Sequence, residues 1–344
     1  MKIQQIIEKH WYQNPNLILS IILFPFCIFF FVVSKIRRLL YRYNILTSYK
    51  LPVPVVIIGN ISVGGVGKTP LTKYIAQQLI TRGIQVGVIL RGYKSKNMCP
   101  TIVNCASSSL EVGDEALIYA QNDIPVAIGR DRYLAGCKLL EKYPNIKLIL
   151  SDDGLQHYRL KRDYEIVVVD QTRMFGNSFV LPMGPLRETV SRLNSVNTII
   201  INGKLDDTNT FMNHYNLNSS VLIENQTLIL KTIYNPATNI CVNTSYFSNL
   251  NVCAMAAMGN PGRFFDFIVS KEINLSSKII YPDHHHYTKD DIPDNFDAII
   301  VTEKDYTKLA KLNNGKIWVV QIEVKLSSDL LVRQIFSLLN SGSL

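Results

Sequence analysis

The residues best suited to chemistry lie in one run, 53–69, which reads VPVVIIGNISVGGVGKT: an apolar strand, a glycine-rich loop and a Lys-Thr pair. This is how a chain cradles nucleotide phosphates. Backbone N–H groups of Ser62, Val63, Gly64, Gly65, Val66 and Gly67 can crowd onto phosphate oxygens, and Lys68 can reach the outer phosphates. Thr69 offers a hydroxyl to Mg²⁺, and the helix that follows points its positive end at the anion. Pro70 is tolerated in its first turn, where an N–H has no intrahelical partner. The usual loop begins with a glycine five residues before Gly67, and this chain has Ser62 there. Val63 likewise stands where a lysine-first variant would need its lysine.

Phosphoryl transfer also needs carboxylates beside the loop, because charge on the moving group must be neutralised. Asp152-Asp153 follows the apolar stretch 146–150 and meets that need; the competing reading is an Asp-Gly turn with a solvated acid. Asp114-Glu115, after Val112-Gly113 and before a helix, is either a base for a substrate hydroxyl or a helix cap with an acid in the first turn. The triplet His284-His285-His286 is a weak metal signal, since adjacent histidines cannot easily reach one ion. A histidine that orients a carboxylate is chemically more useful here. Arg91, Arg130 and Arg132 read equally well as structural ion-pair partners and as substrate contacts.

These groups need a scaffold, and the pattern of apolar runs supplies one. Strands are expected at 53–59, 85–90, 125–128, 146–150, 164–169 and 198–201, with helices at 71–81, 116–121 and 133–142 between them. Such alternation argues for an α/β fold, a parallel sheet covered on both faces with ligands at the strands' carboxyl ends. Residues 221–247 read as extended β connector, and a second, smaller α/β alternation follows, with strands near 252–258, 278–281, 298–301 and 317–322. The expected division is 1–47, an N-terminal membrane-associated segment; 48–220, a P-loop kinase core; and 221–344, the connector with the smaller α/β domain.

The 344 residues are ample for two cores, and six cysteines without C-x-x-C spacing argue against a disulfide framework or a zinc site. A net charge of +9 calls for an anionic partner. No long basic block or aromatic–basic alternation is present, so nucleic acid ranks below anionic lipid and phosphorylated substrate. Residues 17–33 are almost wholly apolar, roughly 25 Å as a helix against a hydrocarbon core of ~30 Å. Lys35, Arg37, Arg38, Arg42 and Lys50 follow them, which puts the remainder on the cytoplasmic side. A cleaved leader fits poorly, because the segment starts late and no small-residue cleavage site follows. A buried core helix is the competing reading, and spanning or lying in the interface are both open.

Taken in order, SVGGVGKTP, RGY (91–93), VGDE (112–115), GRDR (129–132), SDDGLQH (151–157), the strand ending at Asp170, GPLRE (184–188), MGNPGRFF (258–265), PDHH (282–285) and VTEKD (301–305) resemble the tetraacyldisaccharide 4′-kinases, the lipid A 4′-kinases of Gram-negative bacteria. The resemblance runs from the apolar segment almost to the C-terminus, and the family loop has the same GG-x-GKTP form without the first glycine. It implies a kinase at the cytoplasmic face of the inner membrane that moves the γ-phosphate of ATP to the 4′-hydroxyl of tetraacyldisaccharide 1-phosphate. It further implies that Lys68 and Thr69 hold phosphates and Mg²⁺, with Asp114 as base in a dyad with His284. Glu115, Asp152 and Asp153 would serve the metal and its surroundings, and Arg91, His157 and Arg187 would contact phosphate. VTEKD would help to close over the nucleotide. The lipid and the membrane surface are the implied partners; no nucleic acid or protein partner is. The alternative is a membrane-tethered regulatory P-loop NTPase, against which stands Asn202-Gly203-Lys204-Leu205, a guanine-recognition sequence lacking its acid.

Overall fold

The strand Val55–Gly59 (β1) is buried along its whole length, as an apolar run in the middle of a covered parallel sheet must be. The structure, a computed structural model, describes residues 3–92, 99–283, 285–312 and 314–341; Tyr93 and His284 lie outside the described residues. From β1 the chain passes through Val86–Leu90 (β2), Thr101–Val103 (β3), Val126–Ile128 (β4), Leu148–Asp152 (β5), Tyr164–Asp170 (β6) and Thr198–Asn202 (β7). It continues through Leu222–Asn235 (β8), Ile240–Val242 (β9), Val252–Ala256 (β10), Ser277–Ile280 (β11), Ala298–Thr302 (β12) and Ile317–Leu326 (β13). These strands form one sheet in the order β11-β10-β12-β13-β8-β7-β6-β1-β5-β2-β4-β3, with β9 paired to β8.

The helices alternate with the strands as the periodicity predicts. Ile3–Tyr12 (α1) and Leu17–Arg42 (α2) precede β1. Lys68–Ile80 (α3), Ser109–Val112 (α4), Asp114–Ala120 (α5), Arg132–Lys142 (α6) and Thr208–His214 (α7) lie between strands of the first half. Pro261–Val269 (α8), Glu303–Leu309 (α9) and Leu330–Ser341 (α10) belong to the second half.

Alternate residues of each strand feed the two faces of the sheet. Val56 and Ile58 pack with Leu71, Ile75 and Leu79 of α3, whereas Val55 and Ile57 pack with Ala135 and Leu139 of α6. In the second half Ala254 and Ala256 face Phe265 and Ile268 of α8, and Cys253 and Met255 face Leu309 and Val319.

Within the stretch expected to be extended β connector, β8 is the strand at which the two halves of the sheet meet. β8 pairs parallel with β7 over Leu222 to Gln226 and antiparallel with β13 over Gln226 to Tyr234, so one strand carries the sheet across both halves. Two boundaries differ from the sequence expectation in ways that matter for the site. β5 runs two residues further, because Ile57 and Ile58 of β1 still pair with Ser151 and Asp152. α5 begins at Asp114 rather than at Ala116.

α2 is the one described helix long and apolar enough to cross a membrane. It buries only Cys27, whose Sγ–H donates to Val180 O at 3.3 Å, and partly covers Leu23 and Phe30 against the core. Asn16 caps it by accepting from Leu19 N–H at 3.0 Å.

Candidate active site

The loop between β1 and α3 is held from both sides. On one side Ser62 forms a β-bridge with Leu186, and Val63 N–H donates to Pro185 O at 2.8 Å. Ser62 is buried in this pairing and its φ is not positive, so no glycine is needed at that position. On the other side Asn202 and Gln226, register partners at the ends of β7 and within β8, donate their amides to Val66 O at 2.6 Å and Gly67 O at 3.3 Å. Gly67 has φ +92°, and a Cβ there would collide with the Asn202 amide and approach Gln226 Nε2 to 2.9 Å. Conformation and space both demand glycine.

Lys68 opens α3 and is positioned rather than free. Its Nζ donates to Asn60 Oδ1 at 3.0 Å and lies 3.2 Å from Asp153 Oδ1. Asp153 also takes Arg187 at 3.2 Å. Burial alone would raise its carboxyl, but Lys68 and Arg187 hold it well below the usual range. Its neighbour behaves in the opposite way. Asp152 Oδ2 accepts from Thr69 Oγ1 at 3.0 Å and from Tyr119 OH at 2.6 Å, and Oδ1 is buried without a hydrogen-bond partner. Burial, with the Glu115 carboxylate nearby, pushes Asp152 up to about 6. Two adjacent acids thus have different roles, one tied to the phosphate lysine and one to the threonine. Neither is the solvated turn acid of the competing reading.

Gly113, with φ +84°, ends α4 and starts α5, and no side chain caps that end. Asp114 is therefore the first residue inside the helix, not its cap. It is 5% exposed, and Lys308 Nζ of α9 lies 3.1 Å from its Oδ2. Glu115, the next residue, lines the cleft.

That cleft has a volume of about 1330 Å³ and brings together Gly64 to Thr69, Arg91, Glu115, Asp152, Asp153 and Arg187. Arg132 also lines it, 3% exposed; its guanidinium donates to Gly129 O at 2.9 Å, and burial lowers it to about 10. Across the cleft stand Arg263 of α8, paired with Asp170 at 2.6 Å, and Glu303 of α9, paired with Lys73 of α3 at 3.0 Å. The far end reaches Phe30, Val33 and Arg37 of α2.

One expected residue, His157, sits elsewhere. His157 is outside the cleft lining: its Nε2 accepts from Arg132 N–H at 3.3 Å, and burial beside the Arg132 and Arg162 charges lowers it to about 4. In this arrangement the imidazole engages the Arg132 backbone, apart from the cleft lining. Of the histidine triplet, His285 lies 3.2 Å from Asp291 and stacks on Tyr281 at 4.6 Å, while His284 is outside the described residues. Asp283, just before it, lines the cleft and lies 3.3 Å from Lys304. Among the described residues no three His, Cys, Asp or Glu groups converge as a metal cage. Thr69, Glu115, Asp152 and Asp153 are what a cation could use.

Sequence reasoning missed Asn60, Tyr119, Asn202, Gln226 and Lys308. Asn60 and Asn202 carried a signal, a polar residue at the end of an apolar strand; Tyr119, Gln226 and Lys308 carried none, because their partners are distant in the chain.

The chain is similar to known proteins along nearly its whole length. The family model described as Tetraacyldisaccharide-1-P 4′-kinase matches residues 19–340. The tetraacyldisaccharide 4′-kinase of Chromobacterium violaceum is 41% identical over 337 residues, covering 95% of this chain and 96% of that protein. That of Histophilus somni is 39% identical over 335 residues, covering 93% and 94%. A crystal structure of LpxK from Aquifex aeolicus in complex with ATP is similar with a TM-score of 0.79 at 26% identity, covering 93% of this chain and 99% of that one. With the model matching nearly its whole length and full-length relatives at this identity, the chain belongs to the tetraacyldisaccharide 4′-kinases, the kinases of lipid A biosynthesis.

Proposed function

We propose that the cleft binds ATP with its phosphates on the loop 62–69 and delivers the γ-phosphate to the 4′-hydroxyl of tetraacyldisaccharide 1-phosphate. The observation that carries this is the single cleft joining the phosphate loop to α2, with Lys68 already anchored by Asn60 and Asp153. Lys68 and Arg187 would meet the charge that spreads over the transferred group.

The residues also fit a magnesium ion. Mg²⁺ takes one or two carboxylates together with phosphate oxygens, not an all-protein cage. The unpartnered Oδ1 of Asp152, beside the Thr69 hydroxyl, is such a donor. When bound, the ion would supply charge neutralisation for the phosphates. Thr69 and Asp152 would hold it, with Glu115 and Asp153 alongside.

Asp114 is proposed as the base that takes the 4′-hydroxyl proton, with His284 as its partner in a dyad. Residues 1–47, 48–220 and 221–344 are proposed as three units, the last two joined where β8 pairs with β7 and closing on the nucleotide to exclude water. α2 would anchor the enzyme at the cytoplasmic face of the inner membrane, its basic end (Lys35, Arg37, Arg38 and Arg42) at the anionic surface.

The test is phosphate transfer from Mg·ATP to tetraacyldisaccharide 1-phosphate in detergent micelles, with product read by mass. Lys68→Ala is expected to abolish it, and Asp114→Asn to lower kcat on the order of 10²–10⁴-fold. Near-normal turnover by Asp114→Asn would remove Asp114 from the mechanism. Nucleotide hydrolysis with the lipid unchanged would sink the kinase reading.

A further inference from the structure

A lysine ammonium 2% exposed is costly to bury without a partner, and Lys308 has one: the Asp114 carboxylate at 3.1 Å. The contact is an ion pair: among the described residues Lys308 Nζ has no hydrogen-bond partner. Such a pair is seldom kept for stability, since well-packed apolar residues of similar volume usually do as well. Its position is the better guide. Asp114 is the first residue of α5, in the first half of the chain, and Lys308 comes from α9 in the second.

α9 is unusually well fixed for a helix of two turns. Thr302 caps it, accepting from Asp305 N–H at 3.0 Å. Asp305, fully buried, accepts from Ala257 N–H and Tyr287 OH, each at 3.1 Å, and from Thr302 Oγ1 at 2.7 Å. Glu303 is held by Lys73 at 3.0 Å and Gln321 at 3.3 Å. The two lysines four residues apart share one face of the helix. Lys308 meets Asp114, and Lys304 meets Asp283, the residue immediately before His284.

We infer that Lys308 is a positioning residue for the 4′-kinase reaction, holding the Asp114 carboxylate in place from α9; this rests on the reading of Asp114 as the base. α9 thereby ties the Asp114 carboxylate of one half, through Lys308, to the helix that holds Asp283 of the other through Lys304. Displacement of a reacting group by about 1 Å is enough to cost on the order of 10²-fold in rate.

Four proteins decide the matter: full-length Lys308→Met, Lys308→Arg, Asp114→Asn and the double variant Lys308→Met/Asp114→Asn, assayed for kcat and for KM of both substrates. Lys308→Met is expected to lower kcat on the order of 10²-fold with both KM values within about twofold, and Lys308→Arg to recover most of that loss. In the Asp114→Asn background the lysine substitution should add nothing, because the group it positions is already gone. Should Lys308→Met fail to fold, the double variant leaves no unpaired buried charge, and the comparisons of it with Asp114→Asn, and of Lys308→Arg with the unsubstituted enzyme, remain. An unchanged kcat in Lys308→Met, or a further loss of similar size on top of Asp114→Asn, overturns the inference while leaving the base reading intact. Wild-type kcat in Asp114→Asn overturns both.

Discussion

Arg132 and His157 make a polar knot under the cleft whose consequences are measurable. The Arg132 guanidinium stacks its donors on the Gly129, Asp152 and Asp153 carbonyls, and its backbone N–H is spent on His157 Nε2. A protonated imidazole could not accept that bond, and it would face two arginines. Burial, first, and those charges, second, lower His157 from 6.5 to about 4. The unfolded chain therefore binds a proton near pH 6.5 that the folded one refuses until about pH 4. Stability present above pH 6.5 is lost as pH falls through this window. His157→Gln keeps an acceptor without a titrating ring, so its melting temperature should fall less between those pH values than that of the unsubstituted enzyme. Identical pH profiles for the two proteins would show that His157 does not titrate with folding. From sequence, SDDGLQH marks the region, but not which members reach the cleft. Asp152 and Asp153 are equivalent as letters, and only Tyr119, Lys68 and Arg187 make them different.

At the scale of elements, the strand–loop–helix unit was the most legible part, since β1, the loop and α3 are contiguous and each carries its own signal. What holds the loop was not, because Asn202 and Gln226 lie 135 and 159 residues beyond Gly67 and meet it only through sheet order. The extended character of β8 is legible, but its place in the sheet is not, for a related reason. Its residues alternate between covered and exposed rather than forming a solid apolar run, and its reversal of partner direction at Gln226 leaves no mark on the sequence. Gly67→Ala tests the clamp. The new Cβ must displace both amides and adopt a disfavoured φ, so the loop should shift while β1 and α3, packed through Ile58, Leu71 and Ile75, stay in place. Calorimetric ATP affinity should fall at least about tenfold with far-UV circular dichroism unchanged, a shift of about 1.4 kcal/mol or more. Undiminished affinity would mean that the loop binds phosphate in a conformation other than this one.

For the whole molecule, α2 runs from a bare apolar face to the cleft of the phosphate loop, and under the proposed function it would join a lipid surface to that loop. Leu23, Cys27 and Phe30 recur on one stripe and meet the protein; Phe30, Val33 and Arg37 continue that stripe into the cleft. The opposite face is bare, with Ile18 at 70% exposure, Ile21 at 66% and Phe29 at 70%. An amphipathic division of this kind, apolar on both sides but covered on one, leaves the second side for hydrocarbon. A lipid whose acyl chains stay in the bilayer could then present its sugar to the cleft beside α2. Replacing Ile18, Ile21 and Phe29 together by serine leaves the packed stripe alone. Each large apolar side chain moved from water into hydrocarbon gains roughly 1.5–3 kcal/mol, so losing three should weaken binding to vesicles containing anionic lipid by at least about 10³-fold. Activity toward substrate in detergent micelles should persist, because neither the cleft nor its lining is altered, whereas activity toward vesicle-borne substrate should fall with binding. A variant that sediments with vesicles as fully as the unsubstituted enzyme would place the membrane contact elsewhere, on α1 or on the basic residues after Ser34, and raising the salt concentration would separate those two, since only the second is screened.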